Sequence, residues 1–501
     1  MKIRKILVAN RGEIAVRVMR TCRDLGIDSV AVYSEPDRKA LHVRYATEAF
    51  FIGPASAAQS YLNIEKIIAV AKQSGADAIH PGYGFLSENA HFAAAVEEAG
   101  FIFIGPKAHS IESMGSKTRA RQIMQAAGVP VVPGLTEAIT DPTSAMAAAV
   151  EIGFPVMLKA AAGGGGRGMR LVSKPEDFLS CLESAQSESQ NAFGDSAMYI
   201  EKFLEKPRHI EVQIFADSHG RVFSFPEREC SVQRRHQKVI EESPSTFVTP
   251  PMREKMGEVA RQAARAVDYL GAGTIEFLVD AHRNFYFMEM NTRLQVEHPI
   301  TEMVTDLDLV EMQILVAQGE PLPFEQSDLD PTGWAIEARV CAEDPNQNFI
   351  PSPGLIKSYK QPGGPYVRTD MAIYGGYEVA VDYDSMIGKI ITWAPTRDVA
   401  LRRLDRALSE LIIQGCVTNT TFLRQILNFH PFHSGDYDTS IIDRLWAETS
   451  DWVQDSDRIA ALLGAALFYQ EHECSLQTNV QLNHEKPDAL SAWQQTLGLG
   501  L

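Results

Sequence analysis

At 501 residues the chain is too long for one compact core, and roughly three or four structural units are expected. Its 47 basic and 64 acidic residues leave a net charge of −17, which argues against a general binder of nucleic acid or of anionic membranes, since both are held through basic surface. Any anionic substrate must therefore meet positive charge gathered locally. The apolar run Ile6–Ala9 is too short for a signal peptide, no segment approaches the ~18 apolar residues of a membrane span, and the six cysteines show neither a CxxC pair nor zinc spacing. A reduced cytoplasm is the expected compartment.

The chain opens as a βαβ unit, with a strand over Lys5–Val8, a helix over Glu13–Leu25 ended by Gly26, and a strand over Ser29–Tyr33. Helices over Ile64–Ser74 and Asn89–Ala99 alternate with buried strands over Ala76–Ile79 and Phe101–Ile104, so a parallel, Rossmann-like sheet is expected to close near Gly105. The first turn, Ala9-Asn10-Arg11-Gly12-Glu13, lacks G-x-G-x-x-G and does not read as a dinucleotide site. His80–Asn89 leaves the end of a strand and reads, by itself, as a glycine-rich turn capped by Ser87. Lys117 opens a helix that runs to Ala127, where it either faces an anion or is simply solvated.

Strands over Pro155–Ala160 and Met169–Val172 flank residues 161–168. Glycines 163, 165 and 168 match G-x-G-x-x-G formally, but a strand follows where a dinucleotide site needs a helix, and no Gly-Lys-Ser/Thr ends the loop. The segment reads as a hairpin lid whose backbone N–H groups fold over phosphates, above Lys159, or else as a plain linker. Further strands are expected over Met198–Leu204 and His209–Phe215. The run Arg228–Lys238 concentrates basic residues in an acidic chain, either as the required positive field or as a solvated loop.

Two β-rich runs, Thr274–Asp280 and Phe285–Asn291, enclose a four-residue loop and set Glu276 opposite Glu289, with Asn291 on the same face. Like charges opposed in a sheet repel unless a cation lies between them. Three oxygen donors suit Mg²⁺ or Mn²⁺; a solvated hairpin face is the alternative. Arg293, Gln295 and Glu297 follow at alternate positions, a set able to hold a small anion and take its proton. A Pro/Asp-rich link over Pro321–Gly333 precedes strands over Ala335–Cys341, Leu355–Tyr359, Glu378–Val381 and Lys389–Trp393 and a helix over Asp398–Leu411. These read as an α+β unit that closes near Leu445. One helix, Asp457–Glu471, and a polar tail are expected beyond it.

Six motifs in order carry a resemblance: ANRGEIA at 9–15, HPGYGFLSEN at 80–89, GGGGRGMR at 163–170, RRHQKVIEE at 234–242, EMNTRLQVEHPITE at 289–302 and DSMIGK at 384–389. The chain resembles the biotin carboxylase component of biotin-dependent carboxylases, in the ATP-grasp superfamily. The resemblance implies an α/β fold of three parts and a tail: a Rossmann-like domain at 1–115, an ATP-grasp domain at 116–320 with a mobile lid about 133–203, a C-terminal α+β domain at 331–446 and an extension at 447–501. It implies carboxylation of biotin at N1′ from ATP and bicarbonate through carboxyphosphate. Two Mg²⁺ or Mn²⁺ ions on Glu276, Glu289 and Asn291 would bridge the ATP phosphates. Lys117 and Lys159 would meet phosphates, Gly165 and Gly166 belong to the lid, Glu201, Lys202, Phe203 and Leu204 receive adenine, and His209, Gln233 and His236 line the nucleotide site. Lys238, Arg293, Gln295 and the Val296 backbone would hold bicarbonate, Glu297 act as general base, Arg339 stabilise enolised biotin and Tyr83 lie near its ring.

No Met-Lys-Met acceptor is present, so biotin is expected on a separate carrier protein, with carboxyltransferase subunits as further partners and a homodimer as the family's common state. Acetyl-CoA or another acyl-CoA is the expected final acceptor. The ATP-dependent component of a two-subunit pyruvate carboxylase is the alternative, and a carboxylate–amine ligase of the superfamily a more distant one. Ala162 replaces a lid glycine common in acetyl-CoA-type members, which blurs that choice. The tail is either a docking helix for carrier or carboxyltransferase, or packs on its own subunit.

Overall fold

The apolar stretch Lys5–Val8 forms β1, and it nucleates a parallel sheet with β2 (Asp28–Ser34), β3 (Glu48–Gly53), β4 (Ala78–His80) and β5 (Ile102–Phe103). The order is β3-β2-β1-β4-β5, so the direction of winding reverses between β1 and β4. The turns after these two strands meet there, as ligand-presenting turns of open α/β sheets do. Asn10 Nδ2 donates to the carbonyls of Pro81 (2.7 Å) and Tyr83 (2.8 Å) and ties them together. Gly82 permits this approach: its φ is +65°, and a Cβ there would lie 2.9 Å from Asn10 Nδ2. The sequence reading did not include β3, an edge strand of alternating exposure.

The computed structural model describes residues 2–135, 139–160, 169–193, 195–449 and 464. It divides into two units, Met1–Ile442 and Asp443–Leu501; of the second, the described part continues a helix to Thr449. Gly165 and Gly166, and the helix expected at Asp457–Glu471 apart from Gly464, lie outside the described residues. No helix of the described residues is long and apolar enough to cross a membrane. Cys22, Cys181, Cys230, Cys341 and Cys416 are free thiols.

A small antiparallel sheet follows, in the order β7-β6-β8, from β6 (Val156–Ala160), β7 (Met169–Val172) and β8 (Met198–Lys202). Lys159 pairs with Met169, so the flanking strands β6 and β7 are antiparallel neighbours, while the lid expected at residues 161–168 lies outside the described residues. Leu158, Ile200, Phe178 and Leu182 form its core.

The largest sheet is antiparallel throughout. It comprises β9 (Arg208–Ala216), β10 (Val222–Arg234), β11 (Gln237–Ser243), β12 (Gly271–Val279), β13 (Phe285–Asn291), β14 (Trp334–Cys341), β15 (Val367–Met371) and β16 (Met386–Ala394), ordered β13-β12-β9-β10-β11-β14-β16-β15. Ile240 pairs with Ala338, which carries the sheet across the Pro/Asp-rich link. Of the strands expected in the α+β unit, Ala335–Cys341 and Lys389–Trp393 thus extend this sheet, while Glu378–Val379 pairs with Gly354–Leu355 outside it. The expected strand Leu355–Tyr359 is two short ones, Gly354–Leu355 and Ser358–Lys360, with different partners.

Along β9, Ile210, Val212 and Ile214 face the helix Pro250–Ala266, while His209, Glu211 and Gln213 face the other way and are buried too. The side chains on this second, polar face form the site. The helix His298–Thr305 is pinned over it by a buried ion network. Glu302 accepts from Arg17 Nη2 (2.7 Å), from the helix Gly12–Asp24, and from Arg368 Nη1 (2.6 Å), on β15; Arg17 Nη2 also reaches Asp308 (2.7 Å). Burial pushes the Glu302 carboxyl up, but Arg17 and Arg368 outweigh it and hold it below its ordinary range. Its contribution to stability is therefore complete above the ordinary carboxylate range, about pH 4–5, and is lost as pH falls below it. Arg17→Met is expected to lower the unfolding free energy by about 1–3 kcal/mol, because it removes one of the two guanidinium donors of a buried carboxylate while Arg368 and the Leu309 N–H remain. Chemical denaturation reads this, and a loss below about 1 kcal/mol would mean that solvent screens the network.

Candidate active site

The β12–β13 hairpin places Glu276 opposite Glu289, as its sequence pattern predicts, but by a different route. The loop contains five residues rather than four, since Val279 pairs with Phe285. A bulge at Met288 then restores the offset, so that Glu276 meets Glu289 and Thr274 meets Asn291. Asn291 Nδ2 donates to Glu276 Oε1 (2.8 Å), and His209 Nε2 lies 3.0 Å from Glu276 Oε2. Gln233 Nε2 contacts His209 Nδ1 at 2.7 Å. Two opposed carboxylates and an amide, all oxygen donors on one face, fit a hard divalent cation of the Mg²⁺ type.

Lys238 is the hub of this face. Its ammonium donates to Glu211 (2.5 Å), Glu276 (2.9 Å) and Glu297 (2.6 Å). Lys238 reaches them because Arg235 and His236, at φ 51° and 67°, form a two-residue turn between β10 and β11. The basic run is thus a hairpin in which the residues separate by depth. His236 is exposed at the tip, whereas Arg228 is fully buried and bonds Glu211, Gln213, Thr301 and Thr274. Arg228 is therefore structural and contributes no surface field.

Glu297 ends the segment after β13 and has no solvent exposure. Burial pushes its carboxyl up, yet Lys238, Arg339 and Arg228 outweigh burial and hold it well below the ordinary range. Arg339 Nη2 donates to Glu297 Oε2 at 3.0 Å, and Arg339 Nε to Glu241 Oε1 at 2.6 Å. Glu297 is thus an ionised carboxylate at neutral pH, bracketed by two cations and able to accept a proton from an anion lodged between them.

Arg293, half-buried, bonds Gln295 Oε1 (2.9 Å) and Asn291 Oδ1 (3.3 Å), while Gln295 Nε2 is buried with no partner. Its Nε donates to Glu88 (2.7 Å), from the His80–Asn89 loop, whose carboxylate also accepts from the Thr292 N–H (3.1 Å). That loop therefore reaches the site, which its glycines alone did not indicate. Tyr83 donates its hydroxyl to Glu13, and its ring centroid lies 5.8 Å from Lys389 Nζ. Lys389, fully buried on β16, bonds the Val296 carbonyl and lies 3.4 Å from Glu13.

The remaining predicted residues belong to the smaller sheet and its surroundings. Glu201, on β8, accepts from Arg121 (2.9 Å) and from Lys159. Lys202 bonds the carbonyls of Gly153 and Phe154, both at 2.9 Å, and the Phe203 N–H donates to the Pro155 carbonyl (3.0 Å). Glu201, Lys202, Phe203 and Leu204 are all half-buried. Lys117 is the first residue of the helix Lys117–Ala126, beside its cap Ser116. Sequence reasoning assigned no role to Glu88, Glu211, Glu241 or Lys389, each of which stands in a run that reads equally well with that charge in solvent.

A parallel α/β unit, a small antiparallel sheet, and a large sheet carrying opposed carboxylates define an ATP-grasp enzyme, a ligase by class. Family models match in series: the biotin carboxylase N-terminal domain at residues 2–111, the carbamoyl-phosphate synthase L chain ATP-binding domain at 116–325 and the biotin carboxylase C-terminal domain at 337–444. Biotin carboxylase 1 of Bacillus subtilis is 52% identical over 442 residues, covering 88% of this chain and 98% of its own. A pyruvate carboxylase component of Methanothermobacter thermautotrophicus is 52% identical over 439 residues, covering 88% and 89%. Among solved structures, the biotin carboxylase domain dimer of Hydrogenobacter thermophilus 2-oxoglutarate carboxylase, with MgADP, ADP and bicarbonate, superposes with a TM-score of 0.82 at 46% identity, over 91% of this chain and 100% of that one. The chain belongs to the biotin carboxylase family.

Proposed function

We propose that the chain uses ATP and bicarbonate to carboxylate biotin borne on a separate carrier protein, by way of carboxyphosphate. The observation that carries this reading is the Glu297 carboxylate, buried and kept ionised between Lys238 and Arg339 on the face that bears the opposed carboxylates Glu276 and Glu289. Bicarbonate is a poor nucleophile, and a carboxylate that takes its proton raises its reactivity. Lys238, Arg293, Gln295 and the Val296 backbone are assigned to hold it; the partnerless Gln295 Nε2 is a donor ready for such an anion.

Glu276, Glu289 and Asn291 are assigned to Mg²⁺, with Mn²⁺ as a substitute. A metal held there would supply neutralisation of charge on the phosphates, on which, with alignment, transfer of a phosphoryl group chiefly depends. Lys117, Lys159 and the lid glycines Gly165 and Gly166 are assigned to the phosphates, residues 201–204 to adenine, and His209, Gln233 and His236 to the rest of the nucleotide. Arg339 is assigned to enolised biotin and Tyr83 to the vicinity of its ring. Glu276→Gln is expected to raise the Mg²⁺ concentration needed for half-maximal ATP hydrolysis about tenfold or more, the scale of ligand-shell losses; an unchanged Mg²⁺ titration would remove Glu276 from the metal site.

The biotin carboxylase names of the relatives support a biotin carrier, and the dimer of the Hydrogenobacter thermophilus domain supports a second copy of the chain; carboxyltransferase subunits are the further partners the proposed reaction calls for. An acyl-CoA is the preferred final acceptor. The similarity to a pyruvate carboxylase component keeps pyruvate as the second reading. The test is ATP hydrolysis by the purified chain with Mg²⁺, with no bicarbonate, with bicarbonate, and with bicarbonate plus free biotin. Hydrolysis that requires bicarbonate and rises with biotin is expected; hydrolysis indifferent to both would refute the proposal.

A further inference from the structure

Beside Arg339 and Glu297, two more carboxyl groups are buried. Glu241 on β11 and Glu337 on β14 are direct partners across the sheet, and neither is exposed to solvent. Opposed side chains in an antiparallel pair have Cβ atoms about 5 Å apart, so the two carboxyl groups are neighbours on one face. Glu241 Oε1 accepts from Arg339 Nε, but Glu241 Oε2 and both oxygens of Glu337 have no hydrogen-bond partner.

The charged groups around Glu337 are Glu241 from β11, Arg339 from its own strand, Lys389 from β16 and Glu297 from the segment after β13. Both cations are engaged elsewhere. Arg339 bonds Glu241 and Glu297, and Lys389 bonds the Val296 carbonyl beside its ion pair with Glu13. Three buried acceptor oxygens on one face of the sheet thus have no donor bonded to them, an arrangement that two ionised carboxylates do not sustain. One proton resolves it, because a protonated carboxyl supplies the missing donor and removes a charge.

We propose that Glu337 is a neutral carboxylic acid that donates its proton in a hydrogen bond to Glu241 and thereby positions the Arg339 guanidinium. The choice of Glu337 over Glu241 follows from Arg339, which bonds Glu241 and favours its anion, whereas neither oxygen of Glu337 has a donor. Burial pushes the Glu337 carboxyl well above its ordinary range, Lys389 opposes this, and Glu241 adds to it. The arrangement leaves Arg339 opposite two carboxylates, Glu241 and Glu297, rather than three. An ionised Glu337 would offset more of the positive charge directed at the substrate. The functional part of the inference rests on Arg339 serving biotin, as proposed above; the proton itself does not.

Infrared difference spectra of the full chain at neutral pH, wild type minus Glu337→Gln, are expected to contain the carbonyl stretch of a buried protonated carboxyl. Carboxylate bands alone would overturn the assignment. Glu337→Gln, neutral and still a donor, is expected to keep biotin-stimulated turnover within about threefold, whereas Glu337→Leu, which lacks the donor, is expected to lower it about tenfold, the scale of one hydrogen bond. In both variants the bicarbonate-dependent ATP hydrolysis and the KM for ATP should stay near wild type. Equal losses in the two variants, or losses spread equally over both reactions, would overturn the positioning role. A wild-type chain that ignores biotin would instead refute the proposed function, and the infrared result would stand apart from it.

Discussion

Glu297→Gln is expected to reduce bicarbonate-dependent ATP hydrolysis by about 10²–10⁴-fold, the range for removal of a general base. The amide keeps the shape of the side chain but can no longer take a proton. Nucleotide binding should change little, because the groups assigned to phosphate and adenine bond elsewhere: Lys159 to Glu201, and Lys202 to the carbonyls of Gly153 and Phe154. Lys238 retains Glu211 and Glu276, and Arg339 retains Glu241, so the cations flanking the lost charge keep partners. Isothermal titration with ADP and steady-state kinetics separate the two effects; turnover like that of the wild type would remove Glu297 as the base. Since Lys238, Arg339 and Arg228 hold its carboxyl well below the ordinary range against burial, the base form persists throughout the neutral range. Any loss of rate between neutral and mildly acid pH must then report another group.

The metal-type cluster was readable because it is local. Two strands, one loop and period-two alternation bring Glu276, Glu289 and Asn291 onto one face. Even so, the assumed loop was one residue short, and the correct pairing arises because the bulge at Met288 compensates. The hairpin at Arg235-His236 was harder to see, since two non-glycine residues take up left-handed backbone there, where a turn of this kind ordinarily carries Asn or Gly.

What the sequence did not disclose depends on pairing between distant segments. β11 and β14 lie about a hundred positions apart, and nothing in KVIEES or WAIEARV states that Glu241 and Glu337 will meet. Glu337 sits among apolar residues and Glu241 between Ile240 and Glu242, and alternation leaves either free to face solvent. Both are buried because β9, β10, β11 and β14 are adjacent in one sheet whose polar face lies under residues 292–305. Glu88 was hidden for a related reason: its loop belongs to the parallel sheet, and only the folded chain carries it to Arg293.

Arg339→Ala is expected to lower biotin-stimulated turnover by about 10²-fold, comparable to loss of one donor to a developing oxyanion, and bicarbonate-dependent ATP hydrolysis by far less. The asymmetry follows from its contacts. Arg339 is one of three cations that keep Glu297 ionised, and Lys238 and Arg228 remain when it is removed, so the base still functions. No such reserve exists for enolised biotin, to which Arg339 alone among these cations is assigned. The substitution also leaves Glu241 buried without its guanidinium, where its carboxyl is already pushed up to about 7 by burial against the pull of Arg339. Without Arg339, Glu241 takes up a proton more readily, and the cost to folding is set by that neutralisation rather than by a bare buried charge. Arg339→Gln separates the two consequences, because it retains an N–H donor for Glu241 while removing the positive charge. If Gln restores stability but not biotin-stimulated turnover, the charge acts on the substrate; equal loss of both reactions in both variants would instead make Arg339 a support for Glu297 alone.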